Sequence, residues 1–149
     1  MGDYHVMMQF EVAAESADLM RRLGSTEAIA SWWSDGVSGS AGSVGDRFEV
    51  TFPDAPAAFE LEVTRADVAG VDWFISSEPE WWAGTTVRID VAKGPGDEGS
   101  MLHFSHRDFD ADSPVIAIVT PAWAQIMARL KAVVESGHSD PFFVTGEPG

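Results

Sequence analysis

The chain has 149 residues, 45% of them apolar, no cysteine, and 24 acidic against 9 basic side chains, for a formal net charge of −15. That length and apolar content suit one compact domain with a sizeable core, while the negative charge excludes an electrostatic footprint for nucleic acid or an anionic membrane surface. Disulfides, thiolate metal sites and a cysteine nucleophile are excluded, and with neither a signal-like start nor a run of ~18 apolar residues, a cytoplasmic location without membrane insertion is expected.

From His5 to Val12, Val6, Met8, Phe10 and Val12 alternate with Met7, Gln9 and Glu11, the period of a strand with one buried face. Ser16 then opens a short helical segment carrying Leu19, Met20 and Leu23, with Gly24 as expected C-cap. A second short helix starts at Ser25 or Thr26 and carries Ile29, Trp32 and Trp33 before Asp35-Gly36 stops it. Val37 to Asp46, rich in Gly and Ser, reads as a loop at the rim of a pocket.

Phe48, Val50 and Phe52 mark the next strand, and Pro53 to Pro56 a turn. Phe59, Leu61 and Val63 mark a third strand, and Val71, Trp73 and Ile75 a fourth. Val87, Ile89 and Val91 mark a fifth, and after a turn at Gly94 to Gly99, Leu102, Phe104 and His106 share one phase of a sixth. From Pro114 the period changes. Val115, Ile118, Val119, Ala122, Trp123, Ile126, Met127, Leu130, Val133 and Val134 follow three-four spacing, with Pro121 set to kink or restart the helix and Gly137 to end it. The tail holds Pro141-Phe142-Phe143, and two phenylalanines in polar surroundings point to docking.

Six strands with one apolar face each need a cover, and only the last helix is long and apolar enough. The expected fold is therefore α+β: a curved antiparallel sheet of six or seven strands around a long C-terminal helix, with two short helices after strand one. Residues 1–143 form this unit and 144–149 a tail.

Trp32-Trp33 after the second helix, Gly45 to Phe48 (GDRF), Leu102 to Phe109 (LHFSHRDF) and Trp123 to Gly137 (WAQIMARLKAVVESG) occur in an order that resembles the activator-of-heat-shock-chaperone homologues of the SRPBCC superfamily. That superfamily also contains START domains, polyketide cyclases and birch-pollen-allergen-like proteins. The resemblance spans roughly residues 4 to 143. It implies the helix-grip fold and a deep hydrophobic cavity, and no single activity.

The pairs Trp32-Trp33 and Trp81-Trp82 read first as large core filling; because adjacent residues on a strand point oppositely, at least one member of each can instead line the cavity. His106 should point into the grip, where a lone histidine is more often a hydrogen-bonded core residue, and it is also the first candidate for an acid, base or polar anchor. Glu78, beside Glu80 and the Trp81-Trp82 pair, reads first as a solvated turn carboxylate and second as a catalytic candidate. His103 takes the opposite phase, toward solvent. His5 and His138 have no partner at metal-ligand spacing, and Asp108, Asp110 and Asp112 lack the glycine and terminal glutamate of a calcium loop. No phosphate loop, nucleophile elbow or paired-histidine motif occurs, so neither metal nor cofactor is expected.

The leading expectation is a binding module for a small hydrophobic or amphipathic molecule. Its lining would be Trp33, Phe48, Phe59, Leu61, Trp73, Trp82, Phe104, His106, Trp123 and Met127. A cyclase, dehydratase or hydrolase working in the same cavity is the second expectation. A co-chaperone with a chaperone partner is the third, ranked last because the chain has room for a single domain. A homodimer through the tail or the exposed side of the sheet is compatible with this size.

Overall fold

The computed structural model describes residues 4–51, 58–75, 82–109 and 115–143. Their strands are β1 (Tyr4–Val12), β2 (Gly36–Gly39), β3 (Arg47–Thr51), β4 (Phe59–Asp67), β5 (Gly70–Ile75), β6 (Thr85–Lys93) and β7 (Ser100–Phe109). The helices among them are α1 (Ser16–Arg21), α2 (Thr26–Ala30) and α3 (Val115–Ser136). The strands build one curved sheet in the order β1-β7-β6-β5-β4-β3-β2 with neighbours antiparallel. It is a meander from β2 to β7 whose last strand closes against β1.

The alternation of apolar residues sets which face is covered. Phe48 and Val50 of β3 are buried between exposed Arg47, Glu49 and Thr51, and Val87, Ile89 and Val91 of β6 repeat the pattern. In α3, Val119, Trp123, Ile126, Met127, Leu130 and Val133 are buried at three-four spacing, one stripe laid on the sheet. The helix continues through Pro121 rather than restarting after Thr120, and the Thr120 hydroxyl donates to the Ile116 carbonyl in the turn before it (2.6 Å). It ends where Gly137, at φ +80, donates its N–H to the Val133 carbonyl (2.8 Å).

Three local expectations need correction. Residues 37–39, expected as the start of a loop, instead form with Gly36 the edge strand β2, paired with β3 from Gly36↔Thr51 to Gly39↔Phe48. Glycine hides this strand in the sequence and also permits it: a Cβ on Gly39, at φ +103, would lie 2.5 Å from the Arg47 carbonyl oxygen. Beyond β2 the loop is tied by Asp46, whose carboxylate accepts from the N–H groups of Gly42 and Ser43 (3.0 Å each). Second, α1 ends on Arg22 in a right-handed conformation, so Gly24 is not its left-handed cap. Third, Trp32 and Trp33 do not alternate as on a strand but continue the turn after α2, donating their N–H groups to the Ile29 carbonyl (3.2 and 3.0 Å); both are buried, as core filling expects. Ser25 caps α2 as expected, its hydroxyl accepting from Ala28 N–H.

After α3 the chain folds back along residues 31–35. Asp140, Phe142 and Phe143 donate their N–H groups to the carbonyls of Ser31, Trp32 and Trp33 (2.8, 3.2 and 2.9 Å), and Asp35 N–H donates to the Phe143 carbonyl (3.1 Å). Arg129 of α3 pairs with the Asp140 carboxylate (2.8 Å) and lies over the Phe142 ring. The docking expected of Phe142-Phe143 is this strap.

Candidate functional site

The space between sheet and α3 is occupied by rings from separate elements. Trp73 comes from β5, Phe48 from β3, Phe104 and His106 from β7, Trp123 from α3, Trp33 from the turn after α2, and Trp82 from the approach to β6. Together with Phe59, Leu61 and Met127, these residues are 0–7% exposed. Nine of the ten residues expected to line the grip belong to one buried hydrophobic cluster, and His106 is buried against it.

The rings touch in a continuous array. Trp32, Trp33 and Trp73 are near-parallel, with centroids 6.1 to 6.4 Å apart. Phe48 meets Trp73 edge-on at 5.2 Å, and Trp33 reaches Trp123 at 5.1 Å. Trp123 in turn contacts Phe104 (4.6 Å) and Trp82 (5.9 Å), and Phe59 meets Trp82 edge-on at 4.9 Å. Such offset and edge-to-face pairs add to the apolar burial that holds α3 on the sheet.

His106 sits inside this array, fully buried, with Trp82 and Phe109 rings each 4.5 Å away. Trp123 Nε1 donates to His106 Nδ1 (3.0 Å). An indole N–H only donates, so Nδ1 carries the lone pair and the imidazole proton is on Nε2. Nε2–H then donates to Thr85 Oγ1 (2.9 Å), whose own hydrogen goes to the Trp82 carbonyl (2.6 Å). Burial pushes the imidazole down from 6.5 to about 3, so it is neutral at physiological pH. With both nitrogens engaged, His106 fixes the orientation of Trp123 and presents no lone pair to a substrate.

Other candidates are dispersed. His103 is exposed on β7, as its phase implies, and His138 is exposed in the strap. His5 Nδ1 accepts from the backbone N–H of Asp108 (3.1 Å). Among the described residues no group of three His, Cys, Asp or Glu side chains is placed to hold a metal ion. Glu78, Glu80, Trp81, Asp110 and Asp112 lie outside the described residues.

Two participants escape the periodic reading. Phe109 is buried because Asp108, at φ +76, forms an irregularity opposite His5 that returns the next side chain to the inner face. Thr85 joins through a hydroxyl that no apolar pattern marks. On the outer face, Asp72 receives Arg88 through two hydrogen bonds (3.0 and 2.9 Å), and Arg65 bridges to Asp90 (2.6 Å), tying β4, β5 and β6 together.

A curved antiparallel sheet closed on its first strand, two short helices after that strand and an aromatic-lined grip on a C-terminal helix define an α+β helix-grip domain. Solved structures carry the same fold. The Aha1 dimer from Colwellia psychrerythraea is 21% identical, with TM-score 0.78 over 90% of this chain and 98% of that one. A Staphylococcus saprophyticus protein is 13% identical, with TM-score 0.74 over 95% and 98%. DynU16, a protein of the dynemicin biosynthetic locus, is 18% identical with TM-score 0.74, covering 95% of this chain and 51% of its own. No protein-family model and no curated protein matches the chain. Among the described residues, no helix is long and apolar enough to cross a membrane.

Proposed function

We propose that this chain binds a small hydrophobic or amphipathic molecule between the sheet and α3. The observation that carries the reading is the continuous aromatic array beneath the helix, with ring faces contributed by five strands and helices and their connections. Aromatic walls of this kind give a ligand contact area at little rotamer cost. Trp33, Phe48, Phe59, Leu61, Trp73, Trp82, Phe104, Trp123 and Met127 supply the apolar contacts, and His106 orients the Trp123 ring among them. Catalysis by cyclase, dehydratase or hydrolase chemistry is less well supported, since the His106 lone pair is taken by Trp123. Purified protein titrated with neutral apolar and amphipathic compounds should show a rise in Tm and a change in Trp fluorescence. A broad panel that moves neither would overturn the proposal.

A second reading, a protein-interaction module with a chaperone partner, is favoured by one observation: the likeness to the Aha1 dimer runs over nearly the whole of that chain. The same likeness supports a homodimer of this protein. Recovery of no chaperone in a pull-down at micromolar concentration counts against the first, and a monomeric mass by light scattering against the second.

A further inference from the structure

The buried indoles of the array differ in what their N–H groups do. Trp32 Nε1 donates to the Arg22 carbonyl (2.9 Å) and Trp123 Nε1 to His106 (3.0 Å). Trp73 Nε1 is buried without any hydrogen-bond partner. Buried polar groups are nearly always paired, and an unpaired donor carries its full desolvation penalty. Trp73 lies mid-sheet, opposite Val63 on β4 and Val87 on β6, with Trp32, Trp33 and Phe48 packed on its ring.

The surroundings define what can satisfy it. None of the buried hydroxyls is bonded to it: Ser31, Ser34, Thr85 and Ser100 donate to the carbonyls of Ala28, Thr51, Trp82 and Ala14, and Ser105 accepts from Arg107. Asp72, the buried acid, is neutralised on the outer face by Arg88. Among the described residues no lysine or arginine is buried, so nothing there offsets the cost of taking an anion out of water.

Resting on the binding function proposed above, we infer that Trp73 Nε1 is the polar anchor of the site, and that the ligand is a neutral, largely apolar molecule whose carbonyl or ether oxygen accepts this hydrogen. Because Trp73 is fully buried, uptake moves the rings of Trp32, Trp33 or Phe48 aside, and the ligand takes their contacts on Trp73.

The test uses three probes of one shape: 2-acetylnaphthalene, 2-ethylnaphthalene and 2-naphthoate, titrated against the full chain. Apolar burial alone favours the ethyl compound, so the expected result, acetyl tighter than ethyl by about fivefold for one neutral hydrogen bond and no binding of the anion, is not explained by hydrophobicity. Trp73→Phe should abolish the acetyl preference and keep ethyl binding. In the unmutated protein labelled with 15N at tryptophan, the Trp73 indole proton should shift downfield with acetyl and not with ethyl, a readout independent of how the variant folds. Equal or tighter ethyl binding, an unmoved Trp73 resonance with acetyl bound, or tight naphthoate binding overturns the anchor while leaving the binding function standing. Binding of none of the three contradicts the binding function itself.

Discussion

Trp123 on α3 donates its indole hydrogen to Nδ1 of His106 on β7 across 3.0 Å, making one directed polar contact between helix and sheet inside an aromatic core. It fixes the imidazole tautomer and, through Thr85, extends to the backbone where β6 begins. Trp123→Phe removes the donor, leaves His106 Nδ1 unpaired and reduces volume. Stability should fall by about 2–4 kcal/mol, measured by urea unfolding. A loss under about 0.5 kcal/mol would show that the contact does not organise the core.

The pH dependence of stability follows from the same residue. Folding depresses the His106 pKa from 6.5 to about 3 through burial. The unfolded chain therefore takes up a proton near pH 6.5 that the folded chain refuses until near pH 3. The contribution of neutral His106 is complete above 6.5 and is lost as pH falls through that window. Between pH 7 and 5 the protein should lose about 2 kcal/mol that a His106→Gln variant does not lose, since the slope approaches about 1.4 kcal/mol per pH unit. Parallel pH profiles for the two proteins would contradict this.

The strap separates backbone pairing from surface charge. Arg129 and Asp140 have side chains 37% and 63% exposed, so Arg129→Ala should cost under about 1 kcal/mol. Ending the chain at Gly137 removes the donors to the Ser31, Trp32 and Trp33 carbonyls and the acceptor of Asp35 N–H. That truncation should cost about 2–3 kcal/mol and speed hydrogen exchange at Asp35, which Arg129→Ala should leave slow. Unchanged exchange at Asp35 in the truncated chain would show that the strap does not hold this segment.

Edge strand β2 depends on Gly39. Gly39→Ala forces a Cβ against the Arg47 carbonyl at φ +103, and should cost about 1–3 kcal/mol while freeing the amide of Ser40, which donates to Arg47. Protection of Ser40 equal to that of the parent protein would refute the argument.

Most of this architecture is legible in the sequence because burial on one face imposes a period. Phe48/Val50, Val87/Ile89/Val91 and the Val119-to-Val133 stripe announce two strands and a helix by spacing alone. The inward face of β7 follows from the same phase, which is why His106 is found inside and His103 outside. What escapes is whatever depends on backbone geometry. Gly39 pairs without an apolar side chain to mark it, Asp108 shifts the phase so that Phe109 turns inward, and Trp32-Trp33 bury together in a helical turn. The unpartnered Trp73 donor is likewise invisible to patterning, because a tryptophan on a strand looks the same whether or not its N–H finds an acceptor.

The central claim, that ligand lodges between the sheet and α3, is tested most directly by methyl NMR of 13C-methionine protein titrated with 2-ethylnaphthalene. Met127 is fully buried under α3, whereas Met7 is 67% exposed on the other side of β1. Shifts at the Met127 methyl with Met7 unmoved are the predicted result. Shifts at Met7 alone, or at neither methyl up to saturating probe, would contradict a ligand site inside the grip.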